Sequence, residues 1–136
     1  MLPEHTLPAY LRALAEGAAG LECDVRLTRD GHLVCVHDRR LDRTSNGKGR
    51  VSGRTLAELD TLDFASWAGP PEESDFPPDP DRARLLTLDR LLSAVRAADR
   101  PVRLLIETKH PTRHGSDVER RLVGLLRRYG LSEPGP

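Results

Sequence analysis

Acidic residues stand at positions where strand-like segments are normally apolar. Glu22 and Asp24 lie two residues apart in the run from Leu21 to Thr28, in which polar and apolar residues alternate. Because successive side chains of a β-strand point to opposite faces, the two carboxylates share one face. Glu107 ends the segment from Val102 to Glu107, which is otherwise mostly apolar. If the two strands are neighbours in one sheet, the three carboxylates converge.

Convergent carboxylates offer the chemistry of a hard divalent cation. Oxygen ligands suit Mg²⁺ or Ca²⁺ better than zinc. The alternative is that the strand only turns its polar face to water, and Glu22 and Asp24 alone favour neither interpretation. Glu107 favours the cation, because a carboxylate that ends a buried strand needs a cation or a hydrogen-bonding partner. Lys109 could instead supply that partner through a salt bridge.

His37 is the candidate acid–base group. It ends the strand-like segment from Leu33 to His37 and precedes Asp38. Strand ends carry the catalytic groups of α/β barrels, and a histidine can donate a proton to a leaving alkoxide. A lone histidine at a strand end is more often structural. We expect loop or surface positions for the remaining histidines: His5, His32, His110 and His114.

The composition argues against several function classes. The 136 residues balance 21 basic against 21 acidic side chains, which gives no overall attraction to nucleic acid or to an anionic membrane. The aromatic content of 4% argues against a base-stacking platform. Neither a signal peptide nor an apolar run of about 18 residues is present, so a cytoplasmic protein without a transmembrane segment is expected. The oligomeric state stays open.

The two cysteines, Cys23 and Cys35, lie in apolar strand-like stretches. They lack the Cys-x-x-Cys spacing of zinc sites. We expect buried thiols in a reducing compartment, although neighbouring strands could also bring the two close enough for a disulfide.

Helical and strand patterns alternate along the chain. Helices are expected after Thr6, after Thr55, from Thr87 to Pro101 and from Ser116 to Gly130. The pair Asp30-Gly31 predicts a tight turn between the first two strands. The alternation of elements predicts a parallel sheet with helical crossovers. Residues 67–82 read as an insertion rich in proline and acidic residues.

Short motifs along the chain follow one another in the order found in the glycerophosphodiester phosphodiesterase family. Residues 21–31 resemble its E-L-D-V-x-L-T-x-D-G segment, and residues 33–49 resemble V-V-x-H-D-x-x-L-D-R-T-T-N-G-x-G. The smaller matches are Pro3 to Thr6 with P-E-N-T, Thr55 to Leu59 with T-L-x-E-L, Thr87-Leu88 with P-T-L and Ile106 to Lys109 with I-E-I-K. Each tetrapeptide alone is common, whereas the ordered set from residue 3 to about 109 is specific.

The resemblance implies an α/β fold, a partial TIM (β/α)₈ barrel of the phospholipase C-like phosphodiesterase type. It implies metal-dependent hydrolysis of a small glycerophosphodiester to an alcohol and glycerol 3-phosphate, with no role for nucleic acid. The family's cation ligands match Glu22, Asp24 and Glu107. Position 37 matches one of its two catalytic histidines, and Lys109 matches its site lysine, which is both catalytic and phosphate-binding.

The chain also departs from the family pattern. The family's other catalytic histidine belongs to an H-R-G motif upstream of P-E-N-T, and residues 1–136 do not contain this motif. His5 replaces the Asn of P-E-N-T, but its position is unsuited to take over the role of that histidine. A complete barrel of this type takes about 250 residues. Residues 1–136 are therefore expected to form a single incomplete domain with low or absent activity, since losing one acid–base group typically costs about 10²- to 10⁴-fold.

The sequence is compatible with three functional hypotheses. One is an enzyme of this family seen in part, and another is a catalytically inactive remnant that binds a divalent cation. The third is a relative with altered phosphodiester specificity, such as a phospholipase of similar barrel architecture. The loop from Leu41 to Gly49 favours the glycerophosphodiester branch.

Overall fold

The computed structural model of the chain describes residues 2–69, 80–109 and 117–131. The strands are β1 (Gly20–Leu27), β2 (Leu33–Cys35), β3 (Leu86–Thr87) and β4 (Arg103–Thr108). The helices are α1 (Leu7–Ala15), α2 (Leu56–Leu59), α3 (Leu88–Arg96) and α4 (Asp117–Arg128). Short 3₁₀ turns lie at Val51–Gly53, Ser66–Ala68 and Pro80–Arg82.

The strands form one sheet in the order β3-β2-β1-β4. β1 and β4 are parallel, whereas β1 with β2 and β2 with β3 are antiparallel. The predicted parallel sheet is therefore wrong for two of the three pairings. The cause is the tight turn at Asp30-Gly31, where Gly31 has a φ of +84°. A turn this short reverses the chain, while parallel neighbours need a long crossover.

The main core lies between the sheet and the helices α1, α3 and α4. α3 contributes Leu88, Leu91 and Leu92, all fully buried, at the spacing of one helical face. α4 adds Val118 and Leu125. Burial of these apolar side chains sets the position of the helices against β1, which carries the acidic residues.

β4 differs from its prediction as a buried strand. Arg103, Leu105 and Glu107 are exposed, with Leu105 at 68%, while Leu104 and Ile106 are partly buried against the core. The reason is position, because β4 is the edge strand of the described sheet and pairs there with β1. Only one of its faces is covered.

A second apolar cluster lies beside the first and supports the loop after β2. Its buried members are Val34, Val36, Leu41, Val51, Leu59, Phe64 and Leu85. Leu41 belongs to this loop, so the loop that carries polar site residues has an apolar anchor of its own.

Most helix ends follow their sequence signals. The Thr55–Glu58 capping box and the Thr87 cap are both present, and Gly130 has a positive φ of 69° after α4. Thr6 precedes α1 as predicted, but its hydroxyl donates to the Pro3 carbonyl instead of capping the helix. Predictions for Ser116, for the two histidines at 110 and 114, and for residues 70–79 of the insertion lie outside the described residues.

The thiols of Cys23 and Cys35 are buried and form no disulfide, as predicted. The contact with Cys23 and burial both raise the pKa of the Cys35 thiol. Among the residues with described positions, no helix is both long and apolar enough to cross a bilayer.

Candidate active site

The structure brings Glu22, Asp24 and Glu107 together. Asp24 of β1 lies opposite Glu107 of β4 in the parallel register, and Glu22 shares the face of Asp24. One carboxylate oxygen of each residue lies within 4.8 Å of the others. Asp24 is 3% exposed, whereas Glu22 and Glu107 are open to solvent. Three carboxylates this close repel one another unless a cation compensates them.

Lys109 supplies part of that compensation. Its Nζ lies 3.1 Å from Glu107 Oε1 and 3.7 Å from Asp24 Oδ1. The hydrogen bond between Lys109 and Glu107 lowers the pKa of Glu107 and raises the pKa of Lys109, so both groups are charged. The predicted alternative of a salt bridge is therefore present, but one ammonium faces three carboxylates.

One atom of this cluster favours an additional cation. Asp24 Oδ1 is buried and accepts no hydrogen bond. Lys109 Nζ, at 3.7 Å, is too far away to donate a hydrogen bond to this oxygen. A buried carboxylate oxygen without a hydrogen bond is costly, and a metal ion is a common partner for such an oxygen. The oxygen ligands, the lone buried acceptor and the surplus of negative charge all fit a hard divalent cation.

His5 lies against Asp24, a contact that the sequence did not predict. Its side chain is 17% exposed, and its Nε2 lies 3.2 Å from Asp24 Oδ2. The Asp24 backbone N–H also donates to Nε2, at 3.3 Å. His5 lies in a turn, as expected, but its left-handed φ of +54° folds the segment back onto β1, so that the ring reaches the carboxylate cluster. The sequence did contain a clue to this turn: His5 stands where the family motif P-E-N-T has Asn, and both residue types tolerate the left-handed backbone conformation.

His37 lies beside the cluster, two residues beyond the end of β2. The Val36 backbone N–H donates to the Asp24 carbonyl, which extends the strand pairing towards His37. Its side chain is 55% exposed, and Nδ1 lies 2.8 Å from Asp38 Oδ1. A carboxylate at Nδ1 favours the tautomer that keeps its proton there and leaves Nε2 available as a base. Arg26 donates to the His37 carbonyl and holds the backbone.

Arg43 links the loop after β2 to the N-terminal segment, a role that the sequence did not predict. Its guanidinium donates to the Asp38 carboxylate at 2.8 and 2.9 Å and to Glu4 at 3.1 Å. It also lies over the Trp67 ring, 5.5 Å from the centroid. Hydrogen bonding by Arg43 holds the pKa of Asp38 well below its usual range. Arg43 therefore positions the carboxylate that holds His37.

We expect Asp38→Asn to lower the free energy of unfolding at neutral pH by up to about 1 kcal/mol, as is typical of partly exposed pairs. The pKa of Asp38 is depressed, so its contribution is present above the ordinary value of about 3.9 and is lost as the pH falls through the folded pKa. Urea unfolding followed by the fluorescence of Trp67, the single tryptophan, measures the difference at about pH 7 and about pH 2.

The control for this prediction is Asp99→Asn. Asp99 is exposed and has no ion pair within the described part of the chain, so its replacement should change stability little at either pH. A difference between wild type and Asp38→Asn that persisted unchanged at the lowest pH would contradict the role of the Asp38 carboxylate.

Known proteins resemble this chain over nearly all of its length. The sequence profile of the glycerophosphoryl diester phosphodiesterase family matches residues 1–129. A relative from Mycobacterium tuberculosis named "Probable glycerophosphodiester phosphodiesterase 1" is 57% identical over 134 residues, 97% of this chain and 47% of the relative. The glycerophosphodiester phosphodiesterase of Bacillus subtilis is 33% identical, over 98% of this chain and 46% of its own length.

Solved structures show the same relationship. The glycerophosphodiester phosphodiesterase of Agrobacterium tumefaciens superposes with a TM-score of 0.75 at 33% identity, over 96% of this chain and 49% of that one. A phosphodiesterase of Oleispira antarctica, in complex with the product sn-glycerol-3-phosphate, gives 0.75 at 27% identity, over 94% of this chain and 48% of that one.

The chain spans about half the length of these relatives. Its mixed sheet with covering helices is the corresponding part of their TIM barrel. The family match over residues 1–129 and the extent of the identity together show that the chain belongs to the glycerophosphodiester phosphodiesterase family.

Proposed function

We propose that this chain supplies the cation site and one acid–base histidine for the hydrolysis of glycerophosphodiesters to an alcohol and glycerol 3-phosphate. The observation that carries the proposal is the convergence of Glu22, Asp24 and Glu107 around a buried oxygen that has no hydrogen bond. The names of the relatives and the glycerol phosphate product in the Oleispira structure support the substrate class. The reaction belongs to glycerophospholipid metabolism, and we propose a cytoplasmic location.

The proposed cofactor is Mg²⁺ or Ca²⁺, held by the three carboxylates. When bound, the ion would polarise a phosphoryl oxygen and offset the charge that develops during phosphoryl transfer. Lys109 is already charged and fixed between Asp24 and Glu107. Its ammonium can therefore contact a phosphate oxygen of the substrate next to the ion, which combines phosphate binding with stabilisation of the transition state.

His37 is proposed to move the proton. With Asp38 at Nδ1, the other ring nitrogen can accept a proton from an attacking group or, once protonated, donate one to the leaving alkoxide. His5 has a different role, because its ring contacts both the backbone and the carboxylate of Asp24. It holds a proposed cation ligand in position.

The experiment measures release of glycerol 3-phosphate from glycerophosphocholine by the 136-residue chain, with Mg²⁺ or Ca²⁺ and with chelator. We expect a low rate that depends on the cation and that falls by about 10²- to 10⁴-fold in His37→Ala. His32→Ala is the matched control, since His32 is an exposed histidine of the same hairpin and does not contact the cluster.

The outcomes of this assay separate the remaining hypotheses. A rate that is unchanged by chelator or by His37→Ala would refute the proposed mechanism for this chain. Cation binding without any turnover would instead support the inactive remnant. Hydrolysis of intact phospholipid in preference to glycerophosphocholine would support altered phosphodiester specificity.

A further inference from the structure

An open groove of about 620 Å³ lies between α3, α4 and the turn that connects β1 to β2. None of its lining residues belongs to the carboxylate cluster. Its volume falls within the range of small-molecule sites. The charged side chains of its wall are Asp30, Arg84, Asp89, Arg90, Arg121 and Arg128.

The two carboxylates of the wall are engaged in local structure. Asp30 accepts hydrogen bonds from the Thr28 hydroxyl at 2.6 Å and from the Leu56 backbone at 3.0 Å, and the first of these lowers its pKa. Asp89 accepts a hydrogen bond from the Tyr129 hydroxyl. The remaining oxygen of Asp30 lies 3.7 Å from His32 Nε2, and His32 also lines the groove. Neither carboxylate lies within ion-pair distance of an arginine of the wall.

The arginines of the wall fall into two kinds. Arg84 and Arg90 pair with Asp60 and Asp81, at 3.7 and 3.0 Å. Arg121 and Arg128 have no hydrogen bond or ion pair to any residue that the structure describes. They lie seven residues apart on α4, so both project from one face of the helix. Within the described part of the chain, the groove thus contains two guanidinium groups without a counter-charge.

Arg121 lies against the hairpin turn. A Cβ at Gly31 would lie only 2.7 Å from Arg121 Cζ, so the guanidinium rests directly on the glycine backbone. On the other side, a Cβ at Gly124 would meet no atom within 4 Å. Gly31 therefore lets the guanidinium of Arg121 approach the turn closely, and Gly124 leaves space between Arg121 and Arg128.

We propose that this groove binds a small phosphate-bearing anion between Arg121 and Arg128. The planar guanidinium matches the oxygens of a phosphate through paired hydrogen bonds. A competing occupant is an anionic membrane surface. That surface would also engage Arg120 and Arg127, which are exposed on α4 but do not line the groove.

The test is a titration of the ¹⁵N-labelled chain with inorganic pyrophosphate at constant ionic strength. Chelator is present so that no metal draws phosphate to the carboxylate cluster. We expect saturable shifts of the Gly31 and Gly124 amide signals. Replacing both Arg121 and Arg128 with Gln should weaken binding by about tenfold or more, since it removes the charge-assisted hydrogen bonds of both guanidinium groups.

The matched control replaces Arg120 and Arg127 with Gln, which removes the same charge from the same helix. It should change the affinity by no more than about twofold, as expected for screened charges outside the site. Arg128→Gln alone, which leaves the Gly31 contact intact, should also weaken binding. Absence of saturable shifts in the wild type would overturn the proposal. So would equal weakening by both double variants, or binding to anionic vesicles that depends equally on all four arginines.

Discussion

Millimolar Ca²⁺ or Mg²⁺ is expected to raise the melting temperature of this chain, and Glu22→Gln is expected to remove that increase. The wild type holds three carboxylates within 4.8 Å of one another, with one ammonium beside them. A ligand that binds only the folded state stabilises it by about 2.7 kcal/mol at a hundred times its Kd. Thermal melts with each cation and with chelator measure the effect.

The sign of the Glu22→Gln effect depends on the cation. In chelator, the Glu22 carboxylate has no hydrogen bond or ion pair among the residues described, and it repels Asp24 and Glu107. Its loss should leave the melting temperature unchanged or slightly higher. In Ca²⁺ or Mg²⁺ the same substitution removes a ligand, so the variant becomes the less stable protein. This reversal distinguishes a cation site from a purely structural acidic cluster.

Glu16→Gln is the control for this experiment. Glu16 lies in an exposed i,i+4 pair with Arg12 on α1, and its substitution should leave the cation-dependent increase intact. If the cations stabilised Glu22→Gln as much as the wild type, or stabilised none of the proteins, the proposed metal centre would be wrong.

The carboxylate cluster was the part of the site most accessible from sequence. The period of two along β1 places Glu22 and Asp24 on one face in any sheet, whatever its neighbours are. The position of Glu107 needed one further assumption, that its strand pairs with β1. The structure meets that assumption, with Asp24 opposite Glu107.

Long-range contacts explain what the sequence did not reveal. Arg43 reaches Glu4 across 39 positions of the chain, and His5 reaches Asp24 across 19. No local periodicity encodes such pairs, because they depend on how the loop after β2 and the N-terminal segment pack. The exposure of Leu105 has the same origin, since an apolar pattern predicts a strand but not whether both of its faces are covered.

The direction of β2 could have been obtained from the sequence. The alternation of helices and strands favoured parallel pairing, but residues 28–32 leave room only for a turn between β1 and β2. A parallel connection needs a crossover of about a dozen residues or more. The tight turn at Asp30-Gly31 therefore decides the direction of β2, whatever the alternation of helices and strands favours. The mixed sheet follows from this turn.

Leu41→Ala is expected to destabilise the chain by about 2–5 kcal/mol, the usual cost of a large cavity in a packed core. Leu41 is fully buried in the second apolar cluster. Its backbone N–H donates to the Gly49 carbonyl at 2.7 Å, and its carbonyl accepts from Ser45 at 3.0 Å. A loss of this size is a large fraction of the 5–15 kcal/mol that stabilises a typical domain. Urea unfolding monitored by circular dichroism measures it.

Leu11→Ala provides the comparison, because Leu11 is 43% exposed on α1 and alanine is a good helix former. It should change stability by no more than about 0.5 kcal/mol. Equal effects of the two substitutions would mean that the second cluster is not a packed core. If Leu41 is the anchor of the loop, its truncation should also disturb the Arg43 contact with Trp67 in the native state. The fluorescence of Trp67 should therefore change in Leu41→Ala before any urea is added, which links the packing of this cluster to the position of Asp38 and His37.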